Sequence, residues 1–243
     1  MVIDLSDKIK ELEMIVQNSD NIVFFGGAGV STESNIPDFR SVDGLYNQKY
    51  AYPPEEILSH TFYVRKTKEF YDFYRDKMIF TEARPNTAHR ALANLEKQGK
   101  LTAVITQNID GLHQAAGSKN VLELHGSVHR NYCERCGKFF GLDTIMETDG
   151  VPFCECGGRI KPDVVLYEEA LNDKIMGAAI DYISCADVLI IGGTSLAVYP
   201  AAGLIRYFHG NKLVVINKSV TPMDEKADLV INDSIGHALS FAK

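Results

Sequence analysis

Short apolar runs alternate with amphipathic stretches along the chain. Apolar runs predict strands at residues 21–25, 101–105, 121–124, 164–167, 188–191, 213–216 and 229–231. Helical spacing of apolar positions predicts helices from about residue 6, and at 61–80, 87–97, 172–184, 200–209 and 234–242. Because strands and helices alternate, we predict the α/β fold class with a doubly wound, parallel, Rossmann-like sheet.

Two successive predicted strands end in polar side chains. Gln107, Asn108 and Asp110 follow the first strand, and His125 follows the second. Ligands of parallel sheets lie just beyond the carboxyl ends of the strands. Asn and Asp also form ordinary turns. Two adjacent strand ends that together supply an amide pair, a carboxylate and an imidazole nevertheless favour a functional site.

Four of the five cysteines form two close pairs. Cys133 and Cys136 form C-x2-C, Cys154 and Cys156 form C-x-C, and 17 residues separate the pairs. This spacing predicts one structural zinc ion, because four thiolates leave no open coordination position for a catalytic water. Two disulfides are the alternative, but no secretion signal supports them. The isolated Cys185 is expected to be a small buried apolar residue.

Two glycine-rich turns follow predicted strands. The first, at residues 27–29, resembles a dinucleotide fingerprint, but Thr32 stands where the third glycine would be. An ordinary strand-to-loop turn explains it about as well. The second, at residues 192–195, opens a βαβ unit that reaches Asn217, where a ribose-binding side chain belongs. Asn replaces the usual Asp or Glu, so we expect a dinucleotide fold without standard hydride transfer.

Composition narrows the class of protein. The net charge of −7 and the pI near 5.5 argue against a direct nucleic-acid partner. The longest apolar run, residues 188–191, is too short to cross a membrane. Residues 1–13 lack the apolar core of a signal peptide. We therefore expect a cytoplasmic protein with no membrane partner. We also predict a monomer.

Several motifs, in sequence order, resemble those of the sirtuins, which are NAD-dependent protein-lysine deacylases. They are Gly-Ala-Gly-Val-Ser at 27–31, Ile-Pro-Asp-Phe-Arg at 36–40, Thr-Gln-Asn-Ile-Asp-Gly-Leu-His at 106–113, Leu-His-Gly at 124–126, the paired cysteines, and Gly-Thr-Ser-Leu at 193–196. The resemblance runs in sequence order from about residue 21 to about residue 235. The small size is similar to that of bacterial and archaeal members.

The resemblance implies a reaction. A sirtuin removes an acyl group from a lysine of a protein substrate and releases nicotinamide and O-acyl-ADP-ribose. The implied cofactors are NAD and one structural zinc ion. His125 would be the general base that takes a proton from a ribose hydroxyl, a task that suits an imidazole titrating near neutral pH. Asn108 would be the second catalytic residue.

The resemblance also implies the binding residues. Cofactor contacts would come from Ala28, Thr32, Phe39, Arg40, Gln107, Ile109, Asp110, His125, Thr194, Ser195, Asn217 and Ile235. Phe39 and Arg40 would lie in a mobile cofactor-binding loop, at about residues 30–60, that excludes water from the reacting ribose. The substrate peptide would lie against Val165, Tyr167 and Glu168.

The domain organisation follows from the position of the cysteines. A Rossmann-like NAD-binding domain is expected over residues 1–125 and 160–243. A zinc-binding module is expected at residues 126–159, inserted in that domain.

Three positions depart from the sirtuin pattern. Gly26 replaces the usual Thr before the glycine turn. Glu168 replaces a glycine, which predicts a strained backbone and a carboxylate near the peptide that favours Lys- or Arg-flanked substrates. Bacterial desuccinylating members carry Tyr-x-x-Arg, whereas here Arg75 follows Tyr71 one position late, rotated about 100° around a helix. An acetyl or another uncharged acyl group is therefore expected.

Two other functions remain open at this stage. Protein mono-ADP-ribosyl transfer uses the same cleavage of NAD, but a protein nucleophile takes the ribose. A non-enzymatic NAD-sensing interaction module is the second alternative. His125 and Asn108 favour deacylation, because both serve steps that follow the loss of nicotinamide.

Overall fold

Nine strands in two sheets are present in the part of the chain that the structure describes. The structure, a computed structural model, describes residues 4–38, 44 and 52–242. In chain order the strands are β1 (Ile22–Gly26), β2 (Leu101–Thr106), β3 (Val121–Glu123), β4 (Gly126–Cys133), β5 (Phe139–Phe140), β6 (Ile160–Val164), β7 (Val188–Gly192), β8 (Lys212–Ile216) and β9 (Leu229–Ile231).

The larger sheet has six strands, and all of its neighbouring strands are parallel. Their order is β3-β2-β1-β7-β8-β9. The chain moves outward in one direction from β1 and returns to the other side of β1 with β7. This reversal is a topological switch point, where the carboxyl ends of the strands form a crevice. The predicted fold class is confirmed.

The helices cover both faces of this sheet. The described α-helices are α1 (Leu5–Gln17), α2 (Pro54–Ile57), α3 (His60–Arg65), α4 (Thr67–Lys77), α5 (Thr87–Lys97), α6 (Leu112–Ala115), α7 (Leu142–Glu147), α8 (Asp173–Cys185) and α9 (Ile235–Ala238). Short 3-10 helices lie at Ala28–Val30, Thr32–Ser34 and Ala201–Tyr207. The longest described α-helices have 13 residues, and none within the described ranges could span a bilayer.

The uniformly apolar strands explain why helices cover both faces of the larger sheet. All five residues of β1 and all five of β7 are buried. Successive side chains of a strand point to opposite faces, so Phe24 packs with α1, α5 and α9, and Phe25 packs with α8 and the 3-10 helix at 201–207. Each face of the sheet thus has its own hydrophobic core.

The smaller sheet is antiparallel and has the order β5-β4-β6. Its inner face packs against α3 and α4, whose fully buried aromatic side chains include Tyr63, Phe70, Tyr71 and Tyr74. The same cluster contains Cys133 and Cys154. The helices before the parallel strand β2 therefore share a core with the cysteine module. The division into domains stays a prediction.

Several predicted elements differ from the structure in extent. The helix predicted at 61–80 is divided at Lys66, where the backbone leaves the helical region (φ −132°, ψ 50°). The strand predicted at 164–167 is wrong, because the strand is β6, which pairs with β4 in the smaller sheet. The expectation for Cys185 is also wrong, since its side chain is exposed at the end of α8.

The four paired cysteines converge on one point. The Sγ atoms of Cys133 and Cys156 are 3.4 Å apart, those of Cys136 and Cys154 are 3.7 Å apart, and all four lie within 4.8 Å of one another. Tetrahedral zinc with Zn–S bonds of about 2.3 Å places sulfurs about 3.8 Å apart. The four cysteines are therefore positioned to bind one zinc ion, and they are the four that were predicted as its ligands.

Loss of one thiolate tests this metal site. We expect the purified protein to contain about one zinc ion per chain, and Cys154→Ser to lose it. Because Cys133 and Cys154 belong to the aromatic cluster around Tyr63, the variant should also lose near-ultraviolet circular dichroism and unfold at a lower temperature. Metal analysis and thermal unfolding measure both effects.

The exposed Cys185 provides the matched control. Cys185→Ser should keep the zinc ion and the unfolding temperature of the unmodified protein. Full zinc content and unchanged unfolding in Cys154→Ser would contradict the assignment.

Candidate active site

Two glycine turns meet at the switch point, after β1 and after β7. The Gly29 N–H donates to the Gly193 carbonyl at 2.8 Å. A Cβ atom on Gly29 would lie 2.7 Å from Gly193 Cα, and Gly193 has a positive φ of 60°. The two turns are therefore packed backbone against backbone, which requires glycine at both positions.

Gln107 connects the ends of three parallel strands. It directly follows β2, and its Nε2 donates to Thr194 Oγ1, beyond β7, at 3.0 Å. Its backbone carbonyl accepts a hydrogen bond from His125 Nδ1, beyond β3, at 3.0 Å. The structure thus brings together three residues that the sequence analysis placed in one site.

The contact with Gln107 determines the tautomer of His125. A carbonyl oxygen can only accept, so Nδ1 of His125 carries the proton and the neutral ring keeps a lone pair on Nε2. Burial lowers the pKa of His125, and the hydrogen bond to the Gln107 carbonyl opposes this shift without cancelling it. His125 is therefore neutral at neutral pH and can accept a proton at Nε2.

Ser31 orients two of the predicted site residues. Its Oγ donates to Asp110 Oδ2 at 2.6 Å and accepts a hydrogen bond from Asn108 Nδ2 at 3.0 Å. Asp110 Oδ1 accepts from the Leu112 N–H at 2.9 Å. Ser31 is only 1% exposed. Ser31 was not among the predicted site residues, although its position just after a glycine turn is a signal in the sequence.

Two buried histidines lie beneath Ser31. His89 Nδ1 accepts from the Asn86 N–H at 3.3 Å, so its Nε2 carries the proton and points toward Ser31 Oγ at 3.5 Å. The His113 ring contacts the His89 ring, with centroids 4.7 Å apart. Burial lowers the pKa of both histidines, so both are neutral at neutral pH. His113 is buried in α6, and His89 is buried in α5. Neither histidine was among the predicted site residues.

Other predicted cofactor residues near the first turn have these positions. Ala28 and Thr32 lie in the two 3-10 turns after β1, and Thr32 Oγ1 donates to the Gly29 carbonyl at 3.0 Å. Ile109 is half-buried and packs against the aromatic cluster of the smaller sheet. Phe39 and Arg40 lie outside the described residues, as do residues 41–43 and 45–51 of the predicted mobile loop.

Three more predicted cofactor residues lie along the other half of the sheet edge. Ser195 is exposed in the turn after β7. Asn217 directly follows β8, and its Nδ2 donates to the Ser219 carbonyl at 2.7 Å. Ile235 is the first residue of α9, where Ser234 caps the helix. They follow strand ends on the far side of the switch point from Gln107.

The predicted peptide segment connects the candidate base to the helical region. The Val165 N–H donates to the His125 carbonyl at 3.0 Å. Tyr167 forms a parallel bridge with Ser59, in which the Tyr167 N–H donates to the Leu58 carbonyl at 3.0 Å. Tyr167 and Glu168 are both exposed. The segment therefore starts beside His125 and presents accessible side chains.

Glu168 adopts the left-handed conformation that glycine would adopt easily, with φ of 75°. Its Oε2 accepts a hydrogen bond from the Thr61 N–H at 2.8 Å, in the first turn of α3. Hydrogen bonding to Thr61, first from its side chain and second from this N–H, lowers the pKa of the Glu168 carboxyl. The predicted strain is present, and a helix-capping contact offsets it.

Gly26 and the late position of Arg75, the other two departures from the sirtuin pattern, also have structural explanations. A Cβ atom on Gly26 would lie 2.6 Å from the Phe24 ring, so the ring fills the space of the usual threonine. The Tyr71 hydroxyl donates to the Ile160 carbonyl. Arg75 donates from Nε to the Ile145 carbonyl at 2.7 Å, so it binds the backbone of α7, next to the smaller sheet.

The donor set at the crevice fits a dinucleotide. Hydroxyl, amide and carboxylate groups converge there, and the glycine turns give a backbone surface that a pyrophosphate can approach closely. One imidazole with a free Nε2 lone pair faces the same strand ends.

Comparisons with known proteins agree with this geometry. The Sir2 family matches the chain over residues 27–200. An NAD-dependent protein deacetylase of Clostridium acetobutylicum is 64% identical over 239 residues, which cover 97% of this chain and 98% of that protein. A solved structure of Sir2 with a p53 peptide and NAD+ is 41% identical, with a TM-score of 0.82, and covers 96% of this chain and 95% of that one.

A further solved structure is that of Sir2 in complex with the inhibitor EX-527, 2′-O-acetyl-ADP-ribose and a deacetylated p53 peptide. It is 39% identical, with a TM-score of 0.82, and covers 96% of this chain and 95% of that one. The similarity to these proteins extends over nearly the whole chain, and the chain belongs to the Sir2 family.

Proposed function

We propose that this protein is an NAD-dependent protein-lysine deacylase that acts on acylated lysine side chains and releases nicotinamide and O-acyl-ADP-ribose. The observation that carries the proposal is the state of His125. Its Nδ1 is occupied by the Gln107 carbonyl, and burial keeps the ring neutral, so Nε2 is ready to accept a proton. The relatives named above support NAD as the cofactor.

Different residues of the chain would bind different parts of NAD. When bound, NAD supplies the ribose carbon from which nicotinamide leaves and to which the acyl oxygen is transferred. Ala28, Thr32, Thr194, Ser195, Asn217 and the Ile235 backbone would hold the pyrophosphate and adenosine. Ile109 and Asp110 would bind the nicotinamide carboxamide, and Gln107 and Asn108 the ribose. Phe39 and Arg40 would close over that ribose.

Preorganised hydrogen bonds support these roles. Ser31 holds the Asp110 carboxylate and the Asn108 amide in fixed orientations before any ligand arrives. A site whose polar groups are already ordered loses less free energy when it stabilises the reacting state. His125 would then take a proton from a ribose hydroxyl at Nε2, while Nδ1–H stays bound to the Gln107 carbonyl.

The substrate peptide would run along Val165, Tyr167 and Glu168. This segment starts at the Val165–His125 hydrogen bond, so an acyl-lysine inserted beside it would approach the candidate base. An uncharged acyl group such as acetyl fits best, because Arg75 donates to the carbonyls of the smaller-sheet region. The zinc ion, held by Cys133, Cys136, Cys154 and Cys156, would be structural.

Deacylation is favoured over mono-ADP-ribosyl transfer for a physical reason. A transferase needs only the cleavage of NAD, whereas a base poised beyond the strand ends serves the later attack by a ribose hydroxyl. An NAD-sensing module would need neither the base nor its fixed tautomer. Location in the cytoplasm, the monomeric state and the division into domains stay predictions.

Replacing the base tests the proposal. We expect His125→Ala to bind NAD with an affinity within about threefold of the unmodified protein and to lose turnover of an acetyl-lysine peptide by at least 10²-fold. Calorimetric titration with NAD and a peptide deacetylation assay measure the two effects. His209→Ala, which removes an exposed histidine, is the matched control and should keep full activity. Normal turnover in His125→Ala would refute the assignment of His125 as the general base.

The carboxylate of Glu168 should influence the choice of peptide. We expect a higher kcat/KM for acetyl-lysine peptides flanked by Lys or Arg than for those flanked by Asp or Glu. Because the carboxylate is exposed, the preference should be about two- to fivefold and should fall with added salt.

The amide variant separates charge from shape at this position. Glu168→Gln keeps an acceptor for the Thr61 N–H, so it should lose the preference for basic peptides while the protein stays folded. Glu82→Gln removes an exposed carboxylate that lies outside the predicted peptide segment and should leave the preference unchanged. Equal rates on basic and acidic peptides with the unmodified protein would refute this role.

A further inference from the structure

Arg130 lies where the chain passes from the larger sheet to the smaller one. β3 of the parallel sheet ends at Glu123, and β4 of the antiparallel sheet begins at Gly126. His125 lies in this short connection. Its position relative to both sheets therefore depends on whatever joins the two sheets at this point.

The Arg130 guanidinium donates to one carboxylate on each side of the connection. Its Nη1 donates to Glu123 Oε2 at 2.6 Å, and its Nε donates to Asp163 Oδ2 at 2.7 Å. The Glu123 side chain is only 6% exposed, whereas Asp163 is 41% exposed. An ionised carboxylate is costly to bury unless it is paired, and charge-assisted bonds of this length are strong.

The two carboxylates belong to different backbone ladders. Glu123 pairs with Thr106 at the end of the β2–β3 ladder, next to Gln107. Asp163 pairs with Ser127 in the β4–β6 ladder, two residues before Val165 of the predicted peptide segment. The β4–β6 register is irregular between Ser127 and Asn131, so the backbone ladder is interrupted where Arg130 lies.

We propose that Arg130 is a positioning residue: its two bonds clamp the end of β3 to β6 and thereby hold His125 in place relative to the peptide segment. This inference rests on the proposed deacylase function. Arg130 contacts neither the candidate base nor the crevice in the described contacts, so it acts through the backbone. A displacement of about 1 Å in a reacting group can cost up to 10² in rate.

The outer bond gives the cleanest test. Asp163→Ala removes one side of the clamp but leaves Arg130 paired with Glu123, so no buried charge loses its partner. We expect kcat on an acetyl-lysine peptide to fall about tenfold, while NAD affinity and the unfolding temperature stay close to those of the unmodified protein. Asp72→Ala, which removes an exposed ion pair with Lys68 on α4, should change none of these values.

A second set of variants separates positioning from stability. Arg130→Gln leaves the buried Glu123 carboxylate unpaired and should unfold at a lower temperature. Combining it with Glu123→Gln removes that charge and should restore much of the unfolding temperature, yet kcat should stay low because the bond to Asp163 is still missing. Arg130→Lys should be intermediate, since an ammonium lacks the two-sided fork.

The outcomes distinguish a failure of the Arg130 clamp from a failure of the proposed deacylase function. If the unmodified protein shows no peptide-dependent turnover, the proposed function fails. If it turns over but Asp163→Ala and the double variant have its full kcat, the clamp is refuted while the function stands. A low kcat in both variants, at unchanged NAD affinity, supports the clamp.

Discussion

The hydrogen bond from His125 Nδ1 to the Gln107 carbonyl is the contact on which the candidate site depends. It exists because β2 and β3 are adjacent parallel strands, so their carboxyl ends meet at one edge of the sheet. The acceptor is a backbone atom, which the sheet ladder holds in place and which cannot change its hydrogen-bonding role. The bond therefore fixes a tautomer, and burial supplies the neutral charge state.

Two networks of different kinds surround this contact. On the side proposed to bind the cofactor, Ser31 joins Asn108 to Asp110 next to His89, which burial keeps neutral. On the side proposed to bind the peptide, the Val165 N–H donates to the His125 carbonyl, and the Tyr167 N–H donates to the Leu58 carbonyl before α3. The candidate site thus lies between the parallel sheet and the smaller sheet, whose core contains buried aromatic side chains and Cys133 and Cys154.

Much of this arrangement could be predicted from the sequence, because its signals are local. Uniformly apolar runs identify the strands of a sheet covered on both faces, and polar residues directly after Ile105 and Leu124 mark the edge where a ligand binds. The cysteine spacing indicates the metal site, and the structure brings the four sulfurs together. The resemblance to sirtuins added roles that local patterns do not contain.

The missed features depend on contacts between distant parts of the chain. Ser31 and His89 are 58 positions apart, and no local pattern relates them. The strand at β6 was displaced in the prediction, because its pairing with β4 decides its extent more than its apolar residues do. Similarly, the left-handed Glu168 was expected to be strained, but its capping bond to α3 became visible only when both segments were placed.

Analysis of the reaction products tests the central claim most directly. NAD would be incubated with the protein, with and without an acetyl-lysine peptide, and the products would be identified by mass spectrometry. The account predicts nicotinamide release that depends on the peptide, a peptide lighter by one acetyl group, and O-acetyl-ADP-ribose. A peptide heavier by one ADP-ribose would contradict the account. So would the absence of nicotinamide release when zinc-loaded protein is tested with the acetyl-lysine peptide and with a panel of longer and charged acyl peptides.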